Sequence, residues 1–492
     1  MSKVYLVGAG PGDPELLTLK AKRLLEQADS VLYDHLASPE LLDLAPPGAE
    51  RLYVGKKKSD HPVSQEEICG LLVERGRRGW NVVRLKGGDP FIFGRGGEEA
   101  EALADAGIPF EVVPGVTSPL GIAAYTGVPL THRDHTSVVT FISGHDVANI
   151  DWSKVGTSET LVIFMGLSQF DEIARRILAA GRAPGTPAMA VRWGTRPVQE
   201  TIAGTLETLP QSIHERGMKP PATIIVGEVV RLREKLNWFE RLPLFGQTVV
   251  VTRARDQAAA LAAPLRQLGA EVVELPTIGT EPASDYGALD RAIAHLGSYD
   301  WLIFTSANGV RYFLERLDTS PFDARALRGK ICAIGPATRD ALRQVQLKVD
   351  VMAEQYVAEG LLAALADYPM PGARILIARA AVARDILPKE LAARGARVDV
   401  VEAYRTVAPA DLAFRAAEVL AQRPDWITFT SSSTAENLID AVGPEALAYT
   451  KAASIGPVTS ATLRRHNIDV GVEASPYTVA GVVDAILRAA II

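Results

Sequence analysis

Val82-Val83-Arg84-Leu85-Lys86-Gly87-Gly88-Asp89-Pro90-Phe91-Ile92-Phe93-Gly94-Arg95-Gly96-Gly97-Glu98-Glu99 is a hydrophobic strand running into two glycines and an acid, with a second glycine pair opening a helix at Glu98. Gly87 and Gly88 let the backbone approach a ligand closely. Asp89 offers acceptors to a hydroxyl or an amine. An isolated Gly-Gly-Asp would be a tight strand-to-helix turn with Asp89 capping and Arg95 in solvent. Here the run is long, and Arg84, Lys86 and Arg95 lie beside it.

Three other turns have the same character. Val4-Tyr5-Leu6-Val7-Gly8-Ala9-Gly10-Pro11-Gly12-Asp13-Pro14 is a strand ending in a glycine-rich turn, and helical periodicity follows from Leu16 to Ala28. It is not a dinucleotide fingerprint, because the third glycine of G-x-G-x-x-G would fall on Asp13. Pro11 also removes an amide donor that a pyrophosphate would need. Pro114-Gly115-Val116-Thr117-Ser118 and Gly127-Val128-Pro129-Leu130-Thr131-His132-Arg133 complete the set. Turns at the carboxyl ends of strands in an open α/β sheet converge on one crevice. Lys56, Lys57, Lys58, Arg84, Lys86, Arg95 and Arg133 supply positive charge near it, suited to a polycarboxylate.

A chain of 492 residues exceeds one hydrophobic core and implies two to four domains. With 47% hydrophobic and 22% charged residues its composition is that of a globular protein. Aromatics at 6% and a net charge of −6 argue against a nucleic-acid or anionic-membrane surface. Cys69 and Cys332 have no paired spacing, so neither a disulfide framework nor a zinc site is expected, and no metal. The N-terminus enters a strand pattern directly and apolar runs such as Trp301 to Phe304 are short. The expectation is a soluble cytoplasmic protein without a signal peptide or membrane span.

The seam is Asn237-Trp238-Phe239-Glu240-Arg241-Leu242-Pro243-Leu244-Phe245-Gly246, between strand candidates at Thr223 to Val230 and Gln247 to Thr252. It divides the chain into residues 1–240, a linker at 241–246, and residues 247–492. The second part repeats itself. Asp300-Trp301-Leu302-Ile303-Phe304-Thr305-Ser306 matches Asp425-Trp426-Ile427-Thr428-Phe429-Thr430-Ser431, and Ile334-Gly335-Pro336-Ala337-Thr338 matches Ile455-Gly456-Pro457-Val458-Thr459. Val250-Val251-Thr252-Arg253-Ala254 resembles Leu376-Ile377-Ala378-Arg379-Ala380. Strand, turn, helix, strand units of this kind form parallel α/β layers, here two lobes. The expected lobes are residues 247–279 with 408–492, and 280–407. Whether the first is discontinuous stays open at this level.

These segments carry two resemblances. V-G-A-G-P-G-D-P, Y-D-H-L, Y-V-G-K, the long V-V-R-L-K-G-G-D-P segment, P-G-V-T-S and G-V-P-L-T-H-R resemble uroporphyrinogen III C-methyltransferases of the tetrapyrrole methylase fold, over about residues 1–240. That resemblance implies a two-lobed α/β fold and a homodimer through this half. It also implies S-adenosylmethionine held by Pro11, Gly87, Gly88, Asp89, Ile92, Thr117, Ser118, Met165 and Gly194. Asp34 and Lys56 match the family's proposed base and acid; without it they read as a turn residue and a solvated charge. Methylating a ring carbon leaves a proton to remove, which a carboxylate such as Asp34 could take, while a lysine donates one or holds a propionate.

V-V-V-T-R, T-S-A-N-G-V, I-G-P-A-T and V-E-A-Y-R-T resemble uroporphyrinogen III synthase over about residues 247–490. The implied reaction is cofactor-free: hydroxymethylbilane loses water and closes with its last ring inverted. Tyr404 matches the tyrosine proposed to assist loss of the hydroxyl, and otherwise reads as a buried strand residue. Ser306, Ser431 and Ser432 stand where strands give way to helices, as N-caps or anion-binding ends. Arg253 and Arg379 end strands and could pair with carboxylates.

The two resemblances join, since the synthase product is the methyltransferase substrate. The expected activity is bifunctional, giving uroporphyrinogen III and then, by two methylations, precorrin-2 on the siroheme and cobalamin branch. Neither half carries a dinucleotide fingerprint, so no oxidoreductase step is expected beyond it. A C-terminal half that only binds tetrapyrrole is the alternative.

Overall fold

The computed structural model describes residues 3–55, 63–383 and 385–491. Spatially the chain divides into two compact units. One is Met1–Val249 with Ala263–Val272 and Leu487–Ile492; the other is Val250–Ala262 with Val273–Ile486.

The first unit holds two five-stranded sheets. The first sheet comprises β1 (Val4–Gly8), β2 (Ser30–Tyr33), β3 (Glu50–Tyr53), β4 (Val82–Lys86) and β5 (Phe110–Val113), in the order β3-β2-β4-β1-β5 and parallel throughout. Helices cover its faces, so the central strand β4 is buried at every position, Arg84 and Lys86 included. The second sheet is mixed: β6 (Val139–Ser143), β7 (Thr160–Phe164), β8 (Pro187–Arg192), β9 (Glu200–Thr205) and β10 (Ala222–Val226), ordered β6-β7-β10-β8-β9.

Two boundaries differ from the sequence reading. The helix expected over Leu16 to Ala28 is Leu19–Leu25, because the Thr18 side chain accepts the Ala21 amide as its N-cap. The strand expected to reach Val230 stops at Val226, where Gly227 (φ 155°) turns the chain into a short 3₁₀ segment, Glu228–Leu232.

The following strands are β11 (Thr248–Val251), β12 (Glu271–Glu274), β13 (Gly279–Pro282), β14 (Trp301–Phe304), β15 (Lys330–Ala333), β16 (Val351–Met352), β17 (Arg374–Ala380), β18 (Arg397–Val407), β19 (Trp426–Phe429), β20 (Lys451–Ser454) and β21 (Val470–Glu473). They make sheets ordered β12-β11-β19-β20-β21 and β13-β18-β17-β14-β15-β16. The repeat is visible in these orders. Strands β11, β19, β20 and β21 stand in one sheet as β17, β14, β15 and β16 stand in the other. In the first the chain enters by β11 and returns after β18. In the second, β14 to β16 precede β17, which is why the matching segments occur in different chain order.

One ion pair of the first sheet gives a pH-dependent prediction. Arg75, with a side chain 9% exposed, grips both oxygens of Glu50, Nε to Oε2 at 2.6 Å and Nη2 to Oε1 at 2.9 Å. This guanidinium, aided by the Ser30 hydroxyl, lowers the Glu50 carboxyl from about 4.5 to about 2. A lowered carboxylate stabilises the fold above its unfolded pKa, and that gain disappears as pH falls through the folded value. The Glu50 side chain is 36% exposed, so screening reduces the effect to about 1–2 kcal/mol at neutral pH. Calorimetry should show Glu50→Gln melting below the parent at pH 7, with the gap narrowing below about 4.5 and closing toward about 2. A pH-independent gap would exclude this account.

Candidate active sites

The loops leaving β1, β4 and β5 meet backbone to backbone. A Cβ on Gly115 would stand 2.3 Å from the Gly88 carbonyl oxygen and 2.8 Å from the Gly8 Cα. Gly10 and Gly88 exchange amide hydrogen bonds at 3.2 and 2.7 Å, a one-bridge ladder closing two of the turns. Asp89 ties the third, accepting the Phe91 amide at 2.8 Å and the Gly115 amide at 3.0 Å. Asp89 therefore fastens the turn and the neighbouring loop, but it caps no helix: the N-cap of Gly96–Asp105 is Arg95. Gly88 also borders Thr117 and Ser118 at the start of the helix Ser118–Thr126, and Pro11 packs on that helix at Gly121. The second sheet reaches the same place. The Thr195 hydroxyl accepts the Asp13 amide at 3.0 Å, and the Phe93 and Phe164 rings lie 4.8 Å apart.

Backbone strain collects here. Among the described residues eight non-glycine residues have positive φ, and Gln346, Arg423 and Asn467 simply follow helix C-termini. The other five are Phe93 (51°), Arg95 (58°), Met165 (53°), Trp193 (48°) and Thr195 (71°), all on these loops. Conformations of this kind persist where the surroundings over-determine them, and they cluster at ligand sites. Phe91, Phe93, Arg95, Gly96, Gly97, Glu98 and Met165 line an open cavity of about 480 Å³. Phe91 and Met165 are 56% and 54% exposed, apolar groups turned to a space that suits a flat apolar ligand.

The charges are arranged differently from the sequence reading. Arg84 and Lys86 were expected to meet a carboxylate ligand, but both side chains are 5% exposed and held by Glu99, which is wholly buried. They alternate on β4 and so share one face, the face on which Glu99 of the helix Gly96–Asp105 sits. Arg84 also reaches Asp34 just beyond β2, Nη2 to Oδ2 at 3.2 Å. Arg95 is exposed and paired with Glu98 at 2.6 Å, and Arg133 is exposed. Lys56 lies outside the described residues.

In the second unit Tyr404 on β18 is 7% exposed. Its hydroxyl lies 3.0 Å from the Ser306 hydroxyl, and its ring stacks on Tyr312 at 5.6 Å and 9°. Ser306 caps the helix Ala307–Asp318 by accepting the Gly309 amide at 2.9 Å. Ser431 caps the equivalent helix Ser432–Val442 in a capping box with Thr434, and Ser432 accepts the Thr462 hydroxyl at 3.0 Å. Arg253 donates to Gln257 at 3.3 Å and Arg379 to Asp385 at 2.6 Å.

Known proteins resemble both halves. The model of tetrapyrrole (corrin/porphyrin) methylases matches residues 3–210, and that of uroporphyrinogen-III synthase HemD matches residues 259–484. The porphyrin biosynthesis protein HemD of Ruminiclostridium josui is 38% identical over 99% of this chain and 97% of its own length. The chain belongs to the tetrapyrrole methylase family in its first half and to the uroporphyrinogen-III synthase family in its second. The fusion is a bifunctional enzyme of tetrapyrrole biosynthesis. Uroporphyrinogen-III C-methyltransferase of Bacillus subtilis is 39% identical over 69% of this chain and 71% of its own. A crystal structure of uroporphyrin-III C-methyl transferase from Thermus thermophilus, complexed with S-adenyl homocysteine, is 46% identical with a TM-score of 0.42, over 47% of this chain and all of that one. Siroheme synthases match too, the Ectopseudomonas mendocina enzyme at 53% identity over 49% of this chain, which spans about half of their length (53%).

On the methylase side the structure brings together Pro11, Gly87, Gly88, Asp89, Thr117 and Ser118, with Met165 and Gly194 on the facing loops. Ile92 is 39% exposed on the loop between Asp89 and Phe93. Sequence reasoning passed over Glu99 and the His35–Trp193 ring contact at 5.3 Å. A glutamate one helical turn before Leu103, on an apolar stripe, was a readable signal for the first. The second joins residues far apart in the chain and had none. On the synthase side Ser306 and Tyr404 are joined, and Tyr312 beneath them was missed. Among the described residues no group of three metal-ligating side chains occurs, and no helix is long and apolar enough to cross a membrane.

Proposed function

We propose that the second half closes hydroxymethylbilane to uroporphyrinogen III with inversion of the last ring, and that the first half methylates this product twice to precorrin-2 for the siroheme and cobalamin branch. The observation that carries the reading is the fusion itself: a synthase family whose product is the methylase family's substrate lies on the same chain. A homodimer through the methylase half belongs to the same reading.

The turns at Gly8, Gly88 and Gly115, which approach so closely that a Cβ on Gly8 or Gly115 would strike backbone, fit S-adenosylmethionine with Pro11, Gly87, Asp89, Ile92, Thr117, Ser118, Met165 and Gly194 around it. When bound, that cofactor supplies an electrophilic methyl group on a sulfonium. The protein's part is to orient the ring carbon toward it, which contributes most of the rate. Phe91, Phe93 and Met165 offer the apolar wall for a tetrapyrrole, and Arg95 and Arg133 stand exposed for its carboxylates. Asp34 takes the ring proton, and Lys56 donates a proton or holds a propionate. In the synthase half Tyr404, hydrogen-bonded to Ser306, donates to the departing hydroxyl. The capped helix ends at Ser306, Ser431 and Ser432, with Arg253, receive substrate carboxylates.

One assay tests both halves. Hydroxymethylbilane and methyl-labelled S-adenosylmethionine are supplied together, and the tetrapyrrole isomer and its methyl count are determined. The expected product is type III carrying two labelled methyls. Type I alone would leave the second half a binding module, and unlabelled type III would remove the methyltransferase.

A further inference from the structure

We infer that Glu99 is a positioning residue for methyl transfer: it holds Arg84 and Lys86 so that Asp34 carries one cation contact rather than two. The inference rests on the reading of Asp34 as proton acceptor.

Two cations on a central parallel strand are costly to bury unless paired. Arg84 and Lys86 are such residues, and the register places Arg84 beside Leu32, two positions before Asp34. One Glu99 oxygen, Oε1, collects Lys86 Nζ at 2.7 Å, Gln65 Nε2 at 3.2 Å and Arg84 Nε at 3.3 Å. Its other oxygen is buried with no partner among the described residues. A buried carboxylate this unevenly satisfied needs a reason beyond packing.

That reason lies at the other end of Arg84. With Nε fixed on Glu99 and Nη1 on the Leu85 carbonyl at 3.0 Å, only Nη2 is turned to Asp34. The Asp34 Oδ1 accepts the Leu36 amide at 3.0 Å, so the carboxylate is held at both oxygens by one cation and one amide. Its side chain remains 23% exposed, enough to meet a ligand. The four charges balance, two positive and two negative. Remove the charge of Glu99, and Lys86, buried on the same face, has Asp34 as the remaining anion of the cluster. A second cation on Asp34 would turn it and weaken it as a base.

The test uses the full chain and steady-state methylation of uroporphyrinogen III. Glu99→Gln should lower kcat about 10-fold, as small misplacements of a reacting group do, with the KM for S-adenosylmethionine unchanged. Glu99→Gln combined with Lys86→Met, which restores the balance of charge, should recover most of the rate. Packing alone would give no such rescue. In an Asp34→Ala background Glu99→Gln should add no further loss. Full kcat in Glu99→Gln, failure of the double variant to recover while its thermal unfolding matches the parent, or additive losses with Asp34→Ala would each overturn the inference. Should Glu99→Gln fail to fold, the double variant and Lys86→Met alone decide it: with no second cation to reach Asp34 both should turn over near the parent rate, which supports the inference, and a loss of about 10-fold in the double variant relative to Lys86→Met overturns it. The base assignment fails separately, if Asp34→Ala alone keeps the parent kcat; the inference then falls with it.

Discussion

Gly115→Ala is expected to raise the dissociation constant for S-adenosylmethionine about 100-fold or more, while synthase activity on the same chain continues. The added methyl would sit 2.3 Å from the Gly88 carbonyl oxygen and 2.8 Å from the Gly8 Cα, and both are backbone atoms. A clash with a flexible side-chain end can be relieved by rotation, but this one requires the loops after β1, β4 and β5 to separate. Overpacking of this kind costs about 1–3 kcal/mol. The loss of binding comes from the resulting shift, since a displacement of about 1 Å at a positioned site is enough for about 100-fold. The Asp89 bond to the Gly115 amide would break in the same movement, freeing the loop that carries Ile92 and Phe93. Gly48→Ala is the matched control, with no atom within 4 Å of its added Cβ. Titration calorimetry with S-adenosylmethionine on both variants checks this. Equal affinities would mean that the three turns do not form the cofactor cradle.

The strands, turns and repeat were legible in the sequence because each is local. Val82 to Lys86 is apolar enough to be a buried strand, and paired glycines mark where it must end. The duplicated Trp301 and Trp426 strands announced two similar sheets from the hydrophobic pattern alone. What could not be read was which polar residue faces which. Arg84 and Lys86 looked like ligand-binding charges because clustering in sequence does not say whether a helix covers them. Glu99, 13 to 15 residues onward, does. The left-handed residues Phe93, Met165 and Trp193 were hidden for another reason: their side chains do not favour that conformation, and only tertiary contacts impose it. The convergence of the glycine turns on one candidate site is thus legible, and its charges and strain are not.

Tyr404→Phe is expected to lower the rate of uroporphyrinogen III formation about 100-fold, the usual contribution of a positioned proton donor, and to leave type I isomer as the main product. The substitution separates chemistry from packing. Phenylalanine keeps the ring that stacks on Tyr312 at 5.6 Å, so the apolar core around it is unchanged. Ser306 keeps the Gly309 amide at 2.9 Å and so remains the cap of its helix. Only one hydroxyl leaves, with the hydrogen bond to Ser306, a change of about 1 kcal/mol in stability. Thermal unfolding should therefore shift by a few degrees while turnover collapses. The same hydroxyl, 3.0 Å from Ser306, belongs to a side chain that is 7% exposed, and an oriented, largely buried hydroxyl is a better donor than a solvated phenol. A parent-like rate in Tyr404→Phe would make the tyrosine a core residue whose hydroxyl is merely satisfied. Catalysis by this half would then rest on folding the linear substrate, through the capped helix ends at Ser306 and Ser431.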